Sequence, residues 1–326
     1  MPFNARTDLA VEARESYMEN SQEGAVCDGV KVEEEDFLGL KVTRVRIENE
    51  KGEMALGKGV GNYITMEIPP SVPLMEEDYE NACRILATEL KSILPKIEKG
   101  SVLVLGLGNR NITADAIGPK TVDSVLITRH LIEYMPEEID QRLNPVCAIS
   151  PGVLGITGVE TGEIVKGVID RVKPSLVIAI DALCSRRMER VNRTVQISDT
   201  GIVPGAGIGN RRMAIDKKTL GIPVIAIGVP TVVDAATIAG DTIDRITESL
   251  KNAAEGDSPL LKVLKLIDDE DKYEVIKEVL KPDLDDFIVT PKEVDTAVAF
   301  IGRIIANGIN IALHEGITLH DIDRYK

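Results

Sequence analysis

Tryptophan is absent from the 326 residues, and the aromatic residues together make up only 3% of the chain. Stacking platforms for single-stranded nucleic acid need exposed aromatic rings, so none is expected. Histidine is almost as scarce: His130, His314 and His320 are too far apart for a metal helix of the HExxH kind. The four cysteines, Cys27, Cys83, Cys147 and Cys184, include no CxxC pair, which argues against a disulfide framework or a structural zinc site. Positive charge is in deficit, with 38 Lys and Arg against 53 Asp and Glu, a net −15 that opposes non-specific binding to phosphate backbones. No run approaches the roughly 20 uninterrupted apolar residues of a membrane span. The first residues lack an apolar signal-peptide core. A cytoplasmic protein with no cofactor, no metal, no nucleic acid and no membrane partner is expected.

What is present is a core. The chain is 44% hydrophobic and long enough to bury one. Acidic surplus is concentrated in 1–100 and 248–295, whereas 101–247 is balanced and holds the apolar runs. Val102–Leu107, Leu176–Ile180 and Val224–Val229 are short, aliphatic and bounded by Gly, Asp or Pro. Such runs suit strands covered on both faces, as in a parallel sheet. Helical spacing is expected over Pro119–Met135, Gly162–Val172 and Val232–Leu250. The alternation predicts an α/β fold with a doubly wound, mostly parallel sheet. Before it, Val42–Ile47 alternates like a half-buried strand, glycines at Gly52 and Gly57–Gly61 suggest a hairpin, and Glu76–Ile97 reads as a helix. After it, Gly256-Asp257-Ser258-Pro259 resembles a linker and Pro291–Leu313 a closing helix. The expectation is a core at about 101–247 between an N-terminal β/α flank, 9–100, and a C-terminal flank, 248–326.

Ligands of open α/β sheets gather beyond the carboxyl ends of the strands. Two acids fall there. Asp115 lies in Gly106-Leu-Gly-Asn-Arg-Asn-Ile-Thr-Ala-Asp115, between the first core strand and its helix. Asp181 follows the run Leu176–Ile180 and is expected to end that strand. Two carboxylates meeting at such a rim repel and can share a proton, one activating water while the other protonates a leaving group. The competing reading is that each is a turn or helix-capping residue.

Two glycine loops invite a nucleotide reading but fail it. In Gly106-Leu-Gly108-Asn109-Arg-Asn111 the third glycine of GxGxxG is an asparagine. In Gly205-Ala-Gly207-Ile-Gly209 it arrives one residue early, and neither loop ends in GKS or GKT. Tight turns around a site are the better use of them. Arg186, Arg187, Arg190 and Arg193 follow Asp181, and Arg211 and Arg212 follow the second glycine loop. Such a cluster either recognises an acidic substrate or pairs internally with Glu189, Asp199 or the acidic flanks. Cys184, Ser150 and Ser185 lack the histidine or GxSxG setting of a nucleophile.

The segments Gly106-Leu-Gly-Asn…Asp115-Ala-Ile-Gly-Pro119, Ile180-Asp181-Ala-Leu and Arg190-Val-Asn-Arg-Thr-Val-Gln-Ile-Ser-Asp-Thr-Gly201 resemble the germination protease family of spore-forming bacteria. So do Leu220–Asp234 and Val289–Asp295, and Arg6-Thr-Asp-Leu-Ala-Val-Glu12 resembles that family's self-processing site. The resemblance implies a zymogen endopeptidase that removes its own N-terminal segment and opens the degradation of small acid-soluble spore proteins. It implies a homotetramer in the forespore and spore core, with a core like that of hydrogenase maturation proteases. The two acids implicated in the family fall on Asp115 and Asp181, and the processing cut falls between Asp8 and Leu9. That makes 1–8 a pro-segment and 9–326 a single protease domain. Within this reading the Arg cluster would hold the acid before the cut, and backbone amides of the Gly106–Asn109 loop would stabilise an oxyanion. Two alternatives stay open: a maturation-type protease with the same acids on a metal, or a module that grips acidic peptides without cutting them.

Overall fold

The computed structural model describes residues 7–19, 21, 27–37, 39–69, 76–96, 100–205, 213–253 and 287–322. In chain order the N-terminal part contains α1 (Ala10–Glu19), β1 (Val30–Phe37), β2 (Leu40–Ile47), α2 (Glu50–Leu56), β3 (Gly61–Glu67) and α3 (Glu76–Ile93). The middle contains β4 (Val102–Gly106), α4 (Ile117–Val122), α5 (Arg129–Tyr134), β5 (Val146–Ile149), α6 (Leu154–Thr157), α7 (Thr161–Val172) and β6 (Leu176–Ser185). Then come β7 (Thr194–Ser198), α8 (Lys217–Leu220), β8 (Val224–Asp234), α9 (Ala235–Ala253), β9 (Ile288–Val289), α10 (Val294–Leu313) and α11 (Leu319–Ile322).

All the described strands join one mixed sheet of order β1-β2-β3-β7-β8-β6-β4-β5, with β9 against the far end of β8. β5, β4, β6 and β8 are parallel, the expected α/β core. The flank strands continue it antiparallel through β7. The central strands are buried on both faces, which is why their sequences are continuous apolar runs. Val104, Ile178, Ile180 and Ile227 meet Leu86 and Leu90 of α3 and Ile301, Ile304 and Ile305 of α10. Leu103, Leu105, Val177 and Ala179 face the other way, onto Val165 of α7.

Several boundaries differ from the sequence expectation for physical reasons. Gly52 lies inside α2, not in a turn: Asn49 Oδ1 accepts the Lys51 and Gly52 amides at 3.0 and 3.3 Å, and Gly57 ends the helix in the left-handed region. β2 and β3 still pair antiparallel, with that short helix as their connection. The expected helix 119–135 is two helices. Between them Asn310 Oδ1 accepts the Leu126 amide at 2.9 Å, and Thr128 Oγ1 accepts the Val146 amide at 2.9 Å. These distant partners hold the segment open against its own helical periodicity. β8 runs through Pro230 to Asp234, so the following helix begins at Ala235 and not at 232. Proline lacks a ladder donor, and the register slips at that point: Leu183 faces Pro230, but Cys184 faces Val232. The candidate linker 256–259, and Arg211 and Arg212, lie outside the described residues.

α10 is long and apolar enough to cross a membrane by length and composition, and most of it is buried against the sheet and α3. At its end His314 is 1% exposed, and its Nδ1 accepts the Asn144 amide at 3.1 Å. Burial pushes its pKa down to about 4 from the ordinary 6.5. The unfolded chain therefore binds a proton that the native state refuses, so stability falls as pH drops from 6.5 towards 4. The expected loss is about 2 kcal/mol by about pH 5. Urea titrations across that range should show the slope in wild type and a flatter one in His314→Gln.

Candidate active site

Asp181 does not end its strand. β6 continues to Ser185, so Asp181 sits mid-strand opposite Gly228, 5% exposed, with its Oδ1 accepting the Ala182 amide at 2.9 Å. It lines a cavity of about 290 Å³ together with Asp8, Lys58, Tyr63, Gln196 and Ser198.

Asp115 closes a 3-10 turn, Thr113–Asp115, in the loop between β4 and α4. Its Oδ2 and its main-chain oxygen both accept the Asn109 amide, at 2.8 and 3.0 Å. Gly108 makes this possible: its φ is +104°, and a Cβ there would lie 2.1 Å from the Asp115 carbonyl oxygen and 2.9 Å from Oδ1. The loop is stitched to the neighbouring strand by the Leu107 amide, which donates to Ile180 O at 2.8 Å, one residue before Asp181. Thr231 Oγ1 donates to Ala114 O at 2.5 Å and ties the turn to β8. The two aspartates thus belong to one crest of the sheet, although Asp115 is not among the residues lining the Asp181 cavity. Of the Gly106–Asn109 amides expected to face an oxyanion, that of Asn109 is committed to Asp115 and that of Leu107 to Ile180.

Part of the cavity wall is the chain's own N-terminal segment, at Asp8. The Asp8 amide donates to Cys184 O at 3.0 Å, and Asp8 Oδ2 accepts the Cys184 amide at 2.8 Å. Gln196 clasps the next peptide: its Nε2 donates to Asp8 O at 3.2 Å, and its Oε1 accepts the Ala10 amide at 2.7 Å. Lys58 Nζ donates to Thr7 O at 3.1 Å. Burial lowers the pKa of that lysine, against the opposing pull of Asp8 and Glu12. Leu9 is fully buried against Leu183, Val11 and Ile202.

Beyond Leu9 the chain enters α1, whose glutamates meet the arginine cluster. Glu12, fully buried, accepts from Ser185 Oγ (2.8 Å), the Arg186 amide (2.7 Å), the Arg187 amide (3.1 Å) and Arg190 (3.4 Å). Glu15 takes a two-pronged bond from Arg190 at 2.8 and 2.6 Å, and Glu19 pairs with Arg186 and Arg187 at 2.9 and 3.0 Å. Burial alone would lower the pKa of Arg190, but Glu15 and Glu12 outweigh it and raise it. The cluster is therefore paired internally, with acids after the Asp8–Leu9 bond. The acid before that bond is held by a backbone amide, not by an arginine. Arg193 is exposed, with no ion pair among the described residues. The signal that could have found this is the spacing of Glu12, Glu15 and Glu19, one helical face, against three arginines within five residues.

Cys184 is buried and its backbone serves Asp8, while the Ser185 hydroxyl serves Glu12. Among the described residues, no three or more His, Cys, Asp or Glu side chains gather where a metal ion could be held.

Comparison with known proteins places the chain. A model of the germination protease family matches residues 8–264 and 245–326. The germination protease of Clostridium tetani is 52% identical over 323 residues, 99% of each chain, and that of Clostridium acetobutylicum is 50% identical over 325, again 99% of each. That of Caldanaerobacter subterraneus is 49% identical over 322 residues, 98% of this chain and 97% of the relative. Among solved structures, a [NiFe] hydrogenase maturation protease from Thermococcus kodakarensis covers 44% of this chain and 80% of its own, at 19% identity and a TM-score of 0.29. At that level the α/β assignment rests on the strand order itself. With a family model spanning nearly the whole sequence and relatives identical at half their positions, the chain belongs to the germination protease family.

Proposed function

We propose that this peptidase is a self-processing endopeptidase in which Asp115 and Asp181 activate water, and that it cuts its own Asp8–Leu9 bond. The observation that carries the reading is the seating of that bond. Asp8 is held on both its amide and its carboxylate by Cys184, three residues past Asp181, and shares a cavity with Asp181. A segment clasped through its backbone on either side of one peptide bond is positioned as a substrate would be. One carboxylate takes the proton of the attacking water, and the other delivers a proton to the departing amide nitrogen.

The family motifs support small acid-soluble spore proteins as the substrates cut in trans, and a homotetramer in the forespore and spore core as the working form. Light scattering of the purified chain tests the tetramer. The metal-assisted alternative uses the same acids and differs in needing an ion.

Intact mass and N-terminal sequencing after incubation, with and without chelator, test the central claim. Loss of residues 1–8 that persists with chelator is the expected result. Loss that chelator blocks transfers the reaction to the metal reading. An unchanged N-terminus together with no cleavage of a peptide copying residues 4–17 overturns the protease mechanism.

A further inference from the structure

We infer that Gln196 is a catalytic residue of this site: its side-chain amide grips the carbonyl of the bond to be cut and stabilises the oxyanion formed when water adds to it. The inference rests on the proposed cut at Asp8–Leu9.

Sheet register sets the group in place. Gly228 of β8 has Asp181 of β6 as its partner on one side and Gln196 of β7 on the other. Register partners point to the same face of a sheet, so the carboxylate and the side-chain amide rise together on either side of a residue with no side chain. At ordinary strand spacing their Cα atoms are about 10 Å apart, which leaves room for a water molecule and a carbonyl group between the two side chains. A Cβ on Gly228 would lie 2.3 Å from the Leu183 side chain, which packs against Leu9. Asp181, Gln196 and Asp8 line one cavity, and Gln196 is buried in it.

The hydrogen bonds fix the orientation of the amide. The Ala10 N–H can only donate, so Gln196 Oε1 faces it at 2.7 Å and the NH2 group is turned to Asp8 O at 3.2 Å. Asp8 O is the oxygen of the bond to be cut. Among the described residues no main-chain amide is bonded to it, and the amides of Leu107 and Asn109 are committed elsewhere. Lys58 Nζ sits one carbonyl earlier, on Thr7 O, which does not react.

When water adds to the Asp8 carbonyl carbon, the C=O pair moves onto Asp8 O and the water's proton passes to one carboxylate. Negative charge then lies on the atom that already accepts from Gln196 Nε2. A bond to a charged oxygen is shorter and stronger than one to a neutral carbonyl, so the gain falls on the transition state. As the intermediate collapses, the oxygen's pair re-forms the carbonyl and the C–N pair leaves with the Leu9 nitrogen. That nitrogen takes a proton from the other carboxyl group.

The test compares self-cleavage of full-length wild type, Gln196→Glu and Gln196→Met, followed by intact mass as a single-turnover rate. Gln196→Glu keeps the acceptor toward the Ala10 amide and removes the donor toward Asp8 O. At about pH 7 both variants are expected to be slower by about 10² to 10³. At about pH 4 the new carboxyl group takes up a proton and regains a donor. Gln196→Glu should then come back to within about tenfold of wild type at the same pH, with no such recovery in Gln196→Met. Hydrogen exchange of the Cys184 amide, measured in the Asp181→Asn background, reports whether Asp8 is still seated, and its protection should be unchanged by Gln196→Glu. If Gln196→Met fails to fold, Gln196→Glu decides alone. Rates within about threefold of wild type overturn the role and leave the protease reading standing. So does a slow Gln196→Glu that has lost Cys184 protection or shows no recovery at low pH, because the glutamine is then only a clasp. Unfolding of both variants makes Gln196 a structural support and also overturns the role. A wild type that cuts neither itself nor a peptide copying residues 4–17 removes the protease reading, and the role with it.

Discussion

Asp181→Asn is expected to slow both self-cleavage and peptide cleavage by about 10² to 10⁴, the scale on which a positioned acid or base contributes. The substitution keeps the shape of the side chain, and its amide oxygen can still accept the Ala182 amide that Asp181 binds at 2.9 Å. The fold is therefore expected to survive, and denaturant midpoints of the variant and wild type should agree within about 1 kcal/mol. Asp115→Asn is expected to give a loss of the same order, because Asn109 can still donate to the remaining oxygen. Mass spectrometry of the N-terminus and a peptide assay read both variants. Full activity in either would sink the aspartate pair, and unfolding of both would show these acids to be structural supports.

The second large effect is on stability, at Gly118. Here α4 presses on the sheet so closely that a Cβ would lie 2.3 and 2.5 Å from Leu107 O and N, and 2.6 Å from Ile180 O. Main-chain atoms of β6 and of the loop after β4 cannot move aside as a flexible side chain can, and they are bonded to one another through the Leu107 amide. Gly118→Val is expected to cost about 3 kcal/mol or more, by overpacking against a rigid wall. It should also release the loop that carries Asp115. Urea denaturation checks the stability, and activity measured well below the unfolding transition checks the loop. A variant as stable as wild type would contradict this packing.

The parallel core was legible because its signal is local: Val102–Leu107, Leu176–Ile180 and Val224–Val229 are short aliphatic runs, and β4, β6 and β8 start in them between covering layers. That Asp115 and Asp181 follow such runs is readable in the sequence, whereas the placement of Asp181 inside β6, and not at its end, is not. What escaped was set by contacts distant in sequence. That β6 and β8 run on past Asp181 and Pro230 depends on how the two strands pair, with a slipped register opposite the proline. The break in 119–135 depends on Asn310, more than 180 residues away. The arginines were visible as a cluster with the acidic flanks among their expected partners, but the particular acids lie on a helix some 170 residues earlier, whose Glu12, Glu15 and Glu19 share one face. The residues left internal pairing with the acidic flanks open beside a grip on an acidic substrate, and only the resemblance pointed to the acid before the cut; the folded chain pairs those arginines with flank acids after it.

The packing of α10 also has a bearing on how the protein is made. The face of α3 that carries Leu86 and Leu90 is covered by α10, and the two helices are about 200 residues apart in the chain. At ribosomal speeds of about 5–20 residues per second, the first waits roughly ten seconds or longer for its lid to emerge. Throughout that interval an apolar helix face and the upper surface of an unfinished sheet are open to other nascent chains. The interval between the appearance of α3 and that of α10 is therefore the one in which the growing chain is most open to association with others.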